Sequence, residues 1–268
     1  MEYGLRGFIP PVIWKIFTQA RGRYGYFGNF AAWEEAEKAS TGYDSDRILE
    51  KVKDSLLKVR NGEAACERDS VLFDKIQYSW PLLACLLWIS SRKGNKLNLV
   101  DFGGSLGSTY FQTRTFLLHL EELRWNIVEQ NKFVECGKNH FEDVHLKFYH
   151  DLVDCHREHR PDAILFSSSL QYLEKPYDIL KKVLTLGFDF LIFDRTPFLE
   201  DGDDRITVQR VPPLIYKASY PAWFFNEKKF LRFFSETHER IADFESGDKA
   251  NIASVFKGFL FAVKHKTI

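Results

Sequence analysis

An apolar run that leads directly into a glycine-rich turn, KLNLVDFGGSLGSTY at residues 96–110, constrains the fold of this chain more than any other segment. The apolar residues of the run predict a short buried strand. Three glycines, Gly103, Gly104 and Gly107, allow the backbone to turn sharply and to approach a ligand with no Cβ in the way. The segment therefore predicts a strand, a ligand-binding turn and a helix in succession.

Strand and helix patterns alternate along the chain after this turn. Further strands are predicted at residues 125–128, 146–149, 163–166 and 188–193, with helices at 111–123, 132–141 and 177–184. This alternation predicts an α/β protein with a Rossmann-like, doubly wound and mostly parallel sheet. After a helix at 227–235, strand patterns at 239–244 and 256–265 have little sequence between them, which predicts an antiparallel C-terminal edge strand.

The first 95 residues lack this alternation and predict a helical and irregular N-terminal addition, rich in aromatic residues, before a main domain of residues 96–268. Glycines at 22, 25 and 28 lie among aromatic rings. Because glycine weakens strands, they predict irregular structure, such as a lid that would place Tyr26 against a ligand. A helix is predicted from about residue 45, with Asp44 or Ser45 as its cap, to Gly62, and another from Pro81 to Gly94, with a polar turn between them. A polar and aromatic insertion is expected at about residues 198–225.

The charge balance and the apolar content limit the classes of partner. The chain has 37 lysine and arginine residues and 37 aspartate and glutamate residues, so no net charge favours nucleic acid or an anionic membrane. A small or uncharged substrate fits this balance better. The longest apolar run, around residues 81–89, is much shorter than the ~20 residues of a membrane span, which predicts no stable membrane insertion.

The four cysteines are far apart and form no C-x-x-C pair, which predicts a reducing, cytoplasmic location.

Two known kinds of glycine turn explain the segment less well than a third. A dinucleotide-binding turn, G-x-G-x-x-G, fits poorly because Ser108 stands at the position of the third glycine. A nucleophile elbow, G-x-S-x-G, matches with Ser105 as the nucleophile, and Asp194 and either His238 or His265 follow in the required order. The helices predicted before the turn do not supply the strands that normally precede such an elbow, so a serine hydrolase is the lesser alternative.

A third kind of turn, which binds S-adenosylmethionine, has an acid two positions before its first glycine. Asp101 occupies that position and can engage the amino-acid end of this zwitterionic cofactor through charge-assisted contacts. Glu129 closes the next predicted strand, about 20 residues after Gly107, which is the spacing of acids that bind ribose hydroxyls. The two acids together predict S-adenosylmethionine as cofactor and a methyltransferase as the function.

On the segments VDFGGSLGSTYFQTR, WNIVEQ and PDAILFSSSLQYLEKPYDIL, the chain resembles the class I S-adenosylmethionine-dependent methyltransferases. Together with FGNFAAWEEAEKASTGYD, ERDS and SYPAWFF, these segments resemble a methyltransferase family associated with bacterial surface-polysaccharide biosynthesis. The resemblance implies methylation of an oxygen of a sugar or sugar-linked precursor. It also implies a set of cofactor-binding residues: Asp101, Gly103, Gly104, Ser105 and Gly107 at the methionine end, Glu129 at the ribose, Gln130 and Asp151 near the adenine, and Ser167, Ser168 and Ser169 at the cofactor face. Ser105 departs from the class, in which glycine is usual.

Candidate catalytic residues follow the predicted strand ends, because ligands of open α/β sheets bind outside the carboxyl ends of the strands. They are Tyr172, Asp194 and Arg195. Methyl transfer is an in-line displacement, so a general base is needed mainly for a hydroxyl acceptor. Candidate substrate-binding residues share aromatic or amide side chains suited to a sugar, although packing also explains the rings: Tyr26, Gln209, Tyr216, Tyr220 and Trp223.

Two other possibilities are a role without catalysis and a metal site. The chain could be a non-catalytic protein that keeps the methyltransferase fold and serves as a partner subunit. The polar segment at residues 150–159 contains His150, Asp154, Cys155, His156 and His159, but these residues do not follow a standard metal spacing, and no metal is expected.

Overall fold

The computed structural model describes residues 22–42, 45–68, 70–213 and 215–264. The helices of these residues are α1 Trp33–Lys38, α2 Ser45–Arg60, α3 Trp80–Arg92, α4 Ser108–Leu117, α5 Asn131–His140, α6 Leu152–His159, α7 Pro176–Leu186 and α8 Glu227–Phe234, with a 3₁₀ turn at Leu170–Tyr172. The strands are β1 Gly25–Phe30, β2 Cys66–Arg68, β3 Val71–Phe73, β4 Lys96–Phe102, β5 Glu122–Val128, β6 Leu146–Tyr149, β7 Ala163–Ser167, β8 Phe190–Leu199, β9 Arg205–Arg210, β10 Ser219–Asn226, β11 His238–Glu245 and β12 Ser254–Val263.

Internal contacts divide the described residues into two compact units. The first contains residues 22–77, 205–222 and 250–252, and the second contains residues 78–204, 223–249 and 253–264. Strand β10 begins in the first unit and ends in the second. Helix α3 belongs to the second unit although it precedes residue 95. The domain division at about residue 95, with an insertion at about 198–225, stays a prediction.

The second unit contains the predicted Rossmann-like sheet, which is thereby confirmed. Its strands follow the order β6-β5-β4-β7-β8-β12-β11. Strand β4 is central and pairs in parallel with β5 along its whole length and with β7 from Leu99 to Asp101. Strand β12 runs antiparallel to β8, and β11 pairs antiparallel with β12 at the edge, as the C-terminal pattern predicted.

Helices cover both faces of this sheet. One face carries α6, α7 and α8 over an aromatic core in which the Phe166 and Phe193 rings stack 5.5 Å apart and Phe230 meets Phe193 edge to face at 4.9 Å. The chain's many phenylalanines are explained largely by this core, because aromatic side chains bury large apolar areas. Helix α3 is apolar, and Leu86 and Ile89 are fully buried, as its sequence predicted.

The first unit contains strands that the sequence pattern did not predict. Residues 22–30 were expected to be irregular, but Gly25–Phe30 forms β1, which pairs antiparallel with β9. Gly25 has a φ of +119°, and a Cβ there would lie 2.4 Å from Asn251 Oδ1, so the glycine fits the strand at a tight contact. The prediction was wrong because the partner strand comes from residues 205–210, far along the chain. The hairpin β2–β3 and strands β9 and β10 were missed likewise.

Helix α2 confirms the predicted amphipathic helix, with Ile48, Val52 and Leu56 on its buried face. Asp44, which was predicted to cap this helix, lies outside the described residues. No helix among the described residues is both long and apolar enough to span a bilayer.

Candidate active site

The candidate site lies at the carboxyl ends of β4, β5 and β7 in the second unit, next to the middle of β8, where Asp194 pairs with Ser167. The chain passes from β4 outward to β5 and β6, and then returns to the other side of β4 with β7 and β8. This reversal is the position at which open α/β sheets bind ligands. The residues predicted at the strand ends are therefore brought together. The prediction that Asp194 and Arg195 follow their strand was wrong, because β8 continues to Leu199 and contains both residues.

The glycine turn after β4 is closed by backbone hydrogen bonds. The Gly103 N–H donates to Val128 O at 2.9 Å, and the Gly107 N–H donates to Gly104 O at 3.0 Å. A Cβ on Gly103 would lie 2.6 Å from the Ser169 Cβ, and a Cβ on Gly104 would lie 2.6 Å from Asp101 Cγ. The turn therefore requires glycine at both positions, because the backbone runs directly against the ends of β4 and β7.

Asp101 is buried beneath this turn and is 1% exposed. Its Oδ2 accepts a hydrogen bond of 3.0 Å from the indole Nε1 of Trp125. Burial raises the pKa of Asp101 to about 7, the charges of Glu129 and Asp194 add to the rise, and the Trp125 bond opposes it. A cation near Asp101 would favour its ionised form.

Glu129 closes β5 and is tied to the glycine turn. Its carboxylate accepts the backbone N–H of Gln130 at 2.5 Å and the backbone N–H of Ser105. Burial raises the pKa of Glu129, while these two N–H groups lower it. Ser105 has a φ of +54°, a conformation that costs a residue with a Cβ about 1 kcal/mol. The turn thus accommodates serine in the left-handed conformation that glycine adopts more easily.

The three serines at and directly after the end of β7 are engaged within the protein. Ser167 Oγ donates to Asp194 Oδ2 at 2.7 Å, and Ser169 Oγ donates to Phe102 O at 2.6 Å. Ser168 Oγ accepts a bond of 3.1 Å from Gln171 Nε2. We infer that the serine side chains shape this edge of the sheet and leave mainly backbone groups for a ligand.

The candidate catalytic residues differ in their surroundings. Asp194 is 1% exposed, and its charge acts on Asp101 and on the buried Cys85 thiol. The Arg195 Nε pairs with Asp248 Oδ2 at 3.0 Å. Tyr172 is half-buried, and its backbone N–H donates to Ser169 O at 3.1 Å. The structure brings all three to the same edge, and their catalytic roles stay predictions.

The two residues assigned to the adenine end, Asp151 and Gln130, each lie at the start of a helix. Asp151 caps α6, where its Oδ1 accepts the N–H of Val153 at 2.7 Å, and its Oδ2 lies 3.3 Å from Lys182 Nζ. Burial acts against ionisation, but backbone N–H groups and Lys182 together lower the pKa of Asp151. Gln130 is exposed at the N-cap of α5. Their contacts to a cofactor stay predictions.

The candidate substrate-binding residues fall in both units. Tyr26 in β1 lies opposite Gln209 in β9 in the first unit. The hydroxyls of Tyr216 and Tyr220, also in the first unit, are 3.2 Å apart. Trp223 belongs to the second unit, and its indole N–H donates to Leu173 O at 3.0 Å. The structure therefore pairs Tyr26 with Gln209 and Tyr216 with Tyr220, and their role in binding a substrate stays a prediction.

The structure does not assemble a hydrolase triad from Ser105, Asp194 and His238. His238 Nε2 bonds to Phe188 O at 3.2 Å, just before the amino end of β8, whereas Ser105 lies at the carboxyl edge of the sheet. The order of Ser105, Asp194 and His238 along the chain suggested a triad, but Ser105 and His238 lie at opposite ends of the strands. His265, the other candidate, lies outside the described residues.

The histidines of residues 150–159 are engaged in separate contacts. His150 Nε2 pairs with Glu135 at 3.1 Å, the His156 ring packs on Phe188, and His159 bonds to the Tyr149 hydroxyl. Within the part of the chain that the structure describes, no group of three or more histidine, cysteine, aspartate or glutamate residues is placed to hold a metal ion.

Sequence reasoning missed Trp125 and Gln171 as parts of the site. Trp125 was assigned only to a strand, and its bond to Asp101 depends on the parallel pairing of β4 with β5. Gln171 lies in the SLQYL segment, and it is 1% exposed. A polar residue among apolar ones after a strand end was the only local signal.

No family model matches the chain, and no curated protein sequence matches it significantly. Among solved structures, the N-terminal domain of EvdMO1, crystallised in the presence of SAH and D-fucose, has a TM-score of 0.50 at 10% identity and covers 83% of this chain and 98% of that chain. The Burkholderia thailandensis 1,6-didemethyltoxoflavin-N1-methyltransferase has a TM-score of 0.45 at 12% identity, covering 91% and 97%. The glycopeptide N-methyltransferase MtfA with sinefungin has a TM-score of 0.45 at 10% identity, covering 68% and 94%.

At these identities, similarity bears on the fold alone. The strand order, with a central β4 and an antiparallel β12 between β8 and β11, is that of the Rossmann-like class I methyltransferase fold. The chain therefore has this fold.

Proposed function

We propose that this protein is an S-adenosylmethionine-dependent methyltransferase. The observation that carries the proposal is the set of three acids, Asp101, Glu129 and Asp194, around a glycine turn at the carboxyl edge of the sheet. These carboxylates disfavour a pyrophosphate, which is anionic, and they favour a ligand with a sulfonium and an ammonium group. The turn itself has no room for a Cβ at Gly103 or Gly104.

The residues present suit this cofactor. Asp101 and the turn would hold its amino-acid end, and Glu129 would hold the ribose hydroxyls. Gln130 and Asp151 would lie toward the adenine, and the backbone at Ser167–Ser169 would form the remaining side. The bound cofactor supplies an activated methyl group. The residues of the chain orient it and, through the carboxylates, offset the positive charge of the ligand.

We further propose that the acceptor is an oxygen of a sugar or sugar-linked precursor in surface-glycan biosynthesis. The support is the resemblance of the sequence segments and the chemistry of Tyr26, Gln209, Tyr216, Tyr220 and Trp223, whose rings and amide suit a pyranose. Tyr172 and Asp194 are the candidates for accepting the hydroxyl proton, and Arg195, which pairs with Asp248, is the candidate for orienting the acceptor.

Calorimetry with S-adenosylmethionine and S-adenosylhomocysteine tests the cofactor assignment. We expect Glu129→Gln to weaken binding by about 1 to 3 kcal/mol, the scale of a lost charge-assisted hydrogen bond. Glu122→Gln is the matched control, because Glu122 lies at the opposite end of β5 and pairs with Arg124 at 2.7 Å. Equal effects of the two substitutions, or no binding by the wild type, would contradict the assignment.

Turnover tests the methyltransferase activity. Incubation with S-adenosylmethionine and a panel of sugar nucleotides should release S-adenosylhomocysteine with an acceptor of the proposed class. Binding without turnover on any acceptor would instead support the non-catalytic partner subunit. The buried position of Asp194 and the pairing of Arg195 with Asp248 are the observations that favour that second candidate.

A further inference from the structure

The side chain of Gln171 joins the end of β7 to the middle of the neighbouring strand β8 at the candidate site. Its Nε2 donates to Ser168 Oγ at 3.1 Å and to Arg195 O at 3.4 Å. Ser168 directly follows β7, and Arg195 lies within β8. Both have a left-handed backbone, with φ of +55° and +54°, a conformation disfavoured for any residue with a Cβ. The Gln171 amide thus bonds to two residues that have this conformation.

The same amide has one atom for which the described part of the chain provides no hydrogen-bond partner. Arg195 O can only accept, so the amide nitrogen of Gln171 must face it. Gln171 Oε1 is then buried, and no donor among the described residues bonds to it; Gln171 as a whole is 1% exposed. A buried unpaired carbonyl destabilises the folded state, so an apolar side chain of similar size would give a larger free energy of unfolding. Stability alone therefore does not explain a glutamine at this position.

Ser168 and Arg195, to which Gln171 bonds, are the chain neighbours of Ser167 and Asp194, two residues of the candidate site. Ser167 precedes Ser168, Asp194 precedes Arg195, and Ser167 Oγ donates to Asp194 Oδ2 at 2.7 Å. The Ser168 N–H also donates to Asp194 O at 2.9 Å. The geometry at Ser168 and Arg195 therefore decides where the Asp194 carboxylate lies.

We infer that Gln171 is a positioning residue, which holds Ser168 and Arg195 in place and thereby fixes the Ser167–Asp194 pair beside the glycine turn. The functional meaning of this role rests on the proposed function, because Asp194 then faces the cofactor and its acceptor. The positioning itself is a property of the chain and can be measured without a ligand.

The test substitutes Gln171→Met, which keeps the size of the side chain and removes both donors. Asn126→Leu is the matched control, because Asn126 is a buried amide of the same sheet that donates to Leu99 O at 3.0 Å, away from the strand ends. We expect Gln171→Met to leave the melting temperature unchanged or raised, and Asn126→Leu to lower it.

Carbon-detected NMR titration of aspartate carboxyl groups gives the second measurement. We expect the titration midpoint of Asp194 to rise in Gln171→Met, because the Ser167 hydrogen bond to its ionised form is loosened, and to stay unchanged in Asn126→Leu. An unchanged midpoint together with a lowered melting temperature in Gln171→Met would show a merely structural role and overturn the inference.

The result separates this inference from the proposed function. Failure of the wild type to bind S-adenosylmethionine would reject the cofactor assignment, while the Asp194 titration would still decide the role of Gln171. Where the sugar-nucleotide panel identifies an acceptor, Gln171→Met should lower kcat by about tenfold or more. Its KM for S-adenosylmethionine should change by less than about threefold.

Discussion

Replacing Asp101 with asparagine should make the ligand-free protein more stable at neutral pH while it removes cofactor binding. Asparagine has nearly the same shape as aspartate, and its carbonyl oxygen can still accept the Trp125 N–H that Asp101 accepts at 3.0 Å. The substitution therefore removes the charge and keeps the packing. The substitution thus distinguishes the free energy of folding that the buried carboxylate costs from the free energy of binding that it contributes with a cationic ligand.

The pKa of Asp101 sets the size and the sign of this effect. Its pKa is about 7 in the folded protein, against an ordinary value of 3.8. The folded state therefore holds this proton more tightly, so stability falls as pH rises from about 4 to about 7 and stays low above that. At 1.36 kcal/mol per pH unit, the full difference corresponds to roughly 4 kcal/mol. We expect Asp101→Asn to recover about 2 to 4 kcal/mol at about pH 8 and less than about 1 kcal/mol at about pH 4.

Urea unfolding of the ligand-free protein at both pH values measures this difference. Asp162→Asn is the control, because Asp162 is half-exposed and pairs with Lys93 at 2.6 Å, and its removal should give no gain at about pH 8. The affinity of the wild type for S-adenosylmethionine should fall below about pH 7, where Asp101 must lose a proton before it can pair with the ligand ammonium group. Equal or lower stability of Asp101→Asn at about pH 8 would refute the reasoning.

Three further predictions concern other parts of the second unit. Ser105→Gly should keep cofactor binding and raise stability by up to ~1 kcal/mol in urea unfolding, because it relieves a left-handed serine; lost binding would mean that the hydroxyl acts on the ligand. Burial lowers the pKa of His238, so stability should fall as pH decreases from about 6.5 down through the lowered pKa of the folded state, and His238→Gln should flatten that loss in the same assay. Asp151→Ala should cost about 1 kcal/mol through the lost cap of α6, and Asp151→Asn should restore most of it; if Asn does not, the cap is not its main role.

Much of the sheet could be predicted from local patterns. Strands β4 to β7 and helices α5 and α7 were each placed to within a few residues, because buried strands and amphipathic helices show their periods in neighbouring residues. Strand β1 could not be predicted in this way, because its partner β9 lies far along the chain. Its glycines, considered with their neighbouring residues alone, are typical of a turn. The left-handed Arg195 in β8 likewise has no local signal, since it accompanies an irregularity in the pairing of β8 with β12.

The candidate site was predictable in its outline. The acid before the glycines and the acid after the next strand follow from spacing, and the structure places Asp101 and Glu129 at neighbouring strand ends. The spacing could not exclude His238 as a partner of Ser105, because order along the chain does not say at which end of the sheet a residue lies. Nor could it show that the side chains of Ser167 to Ser169 are engaged within the protein.

The sequence by itself determined the α/β alternation, the glycine turn and the two acids that favour S-adenosylmethionine, because each depends on residues close together in the chain. The tertiary structure decided that Asp194 acts on Asp101, that Trp125 holds Asp101, and that Gln171 joins Ser168 to Arg195. These properties depend on distances between strands and on exclusion of water, and only the assembled sheet sets both.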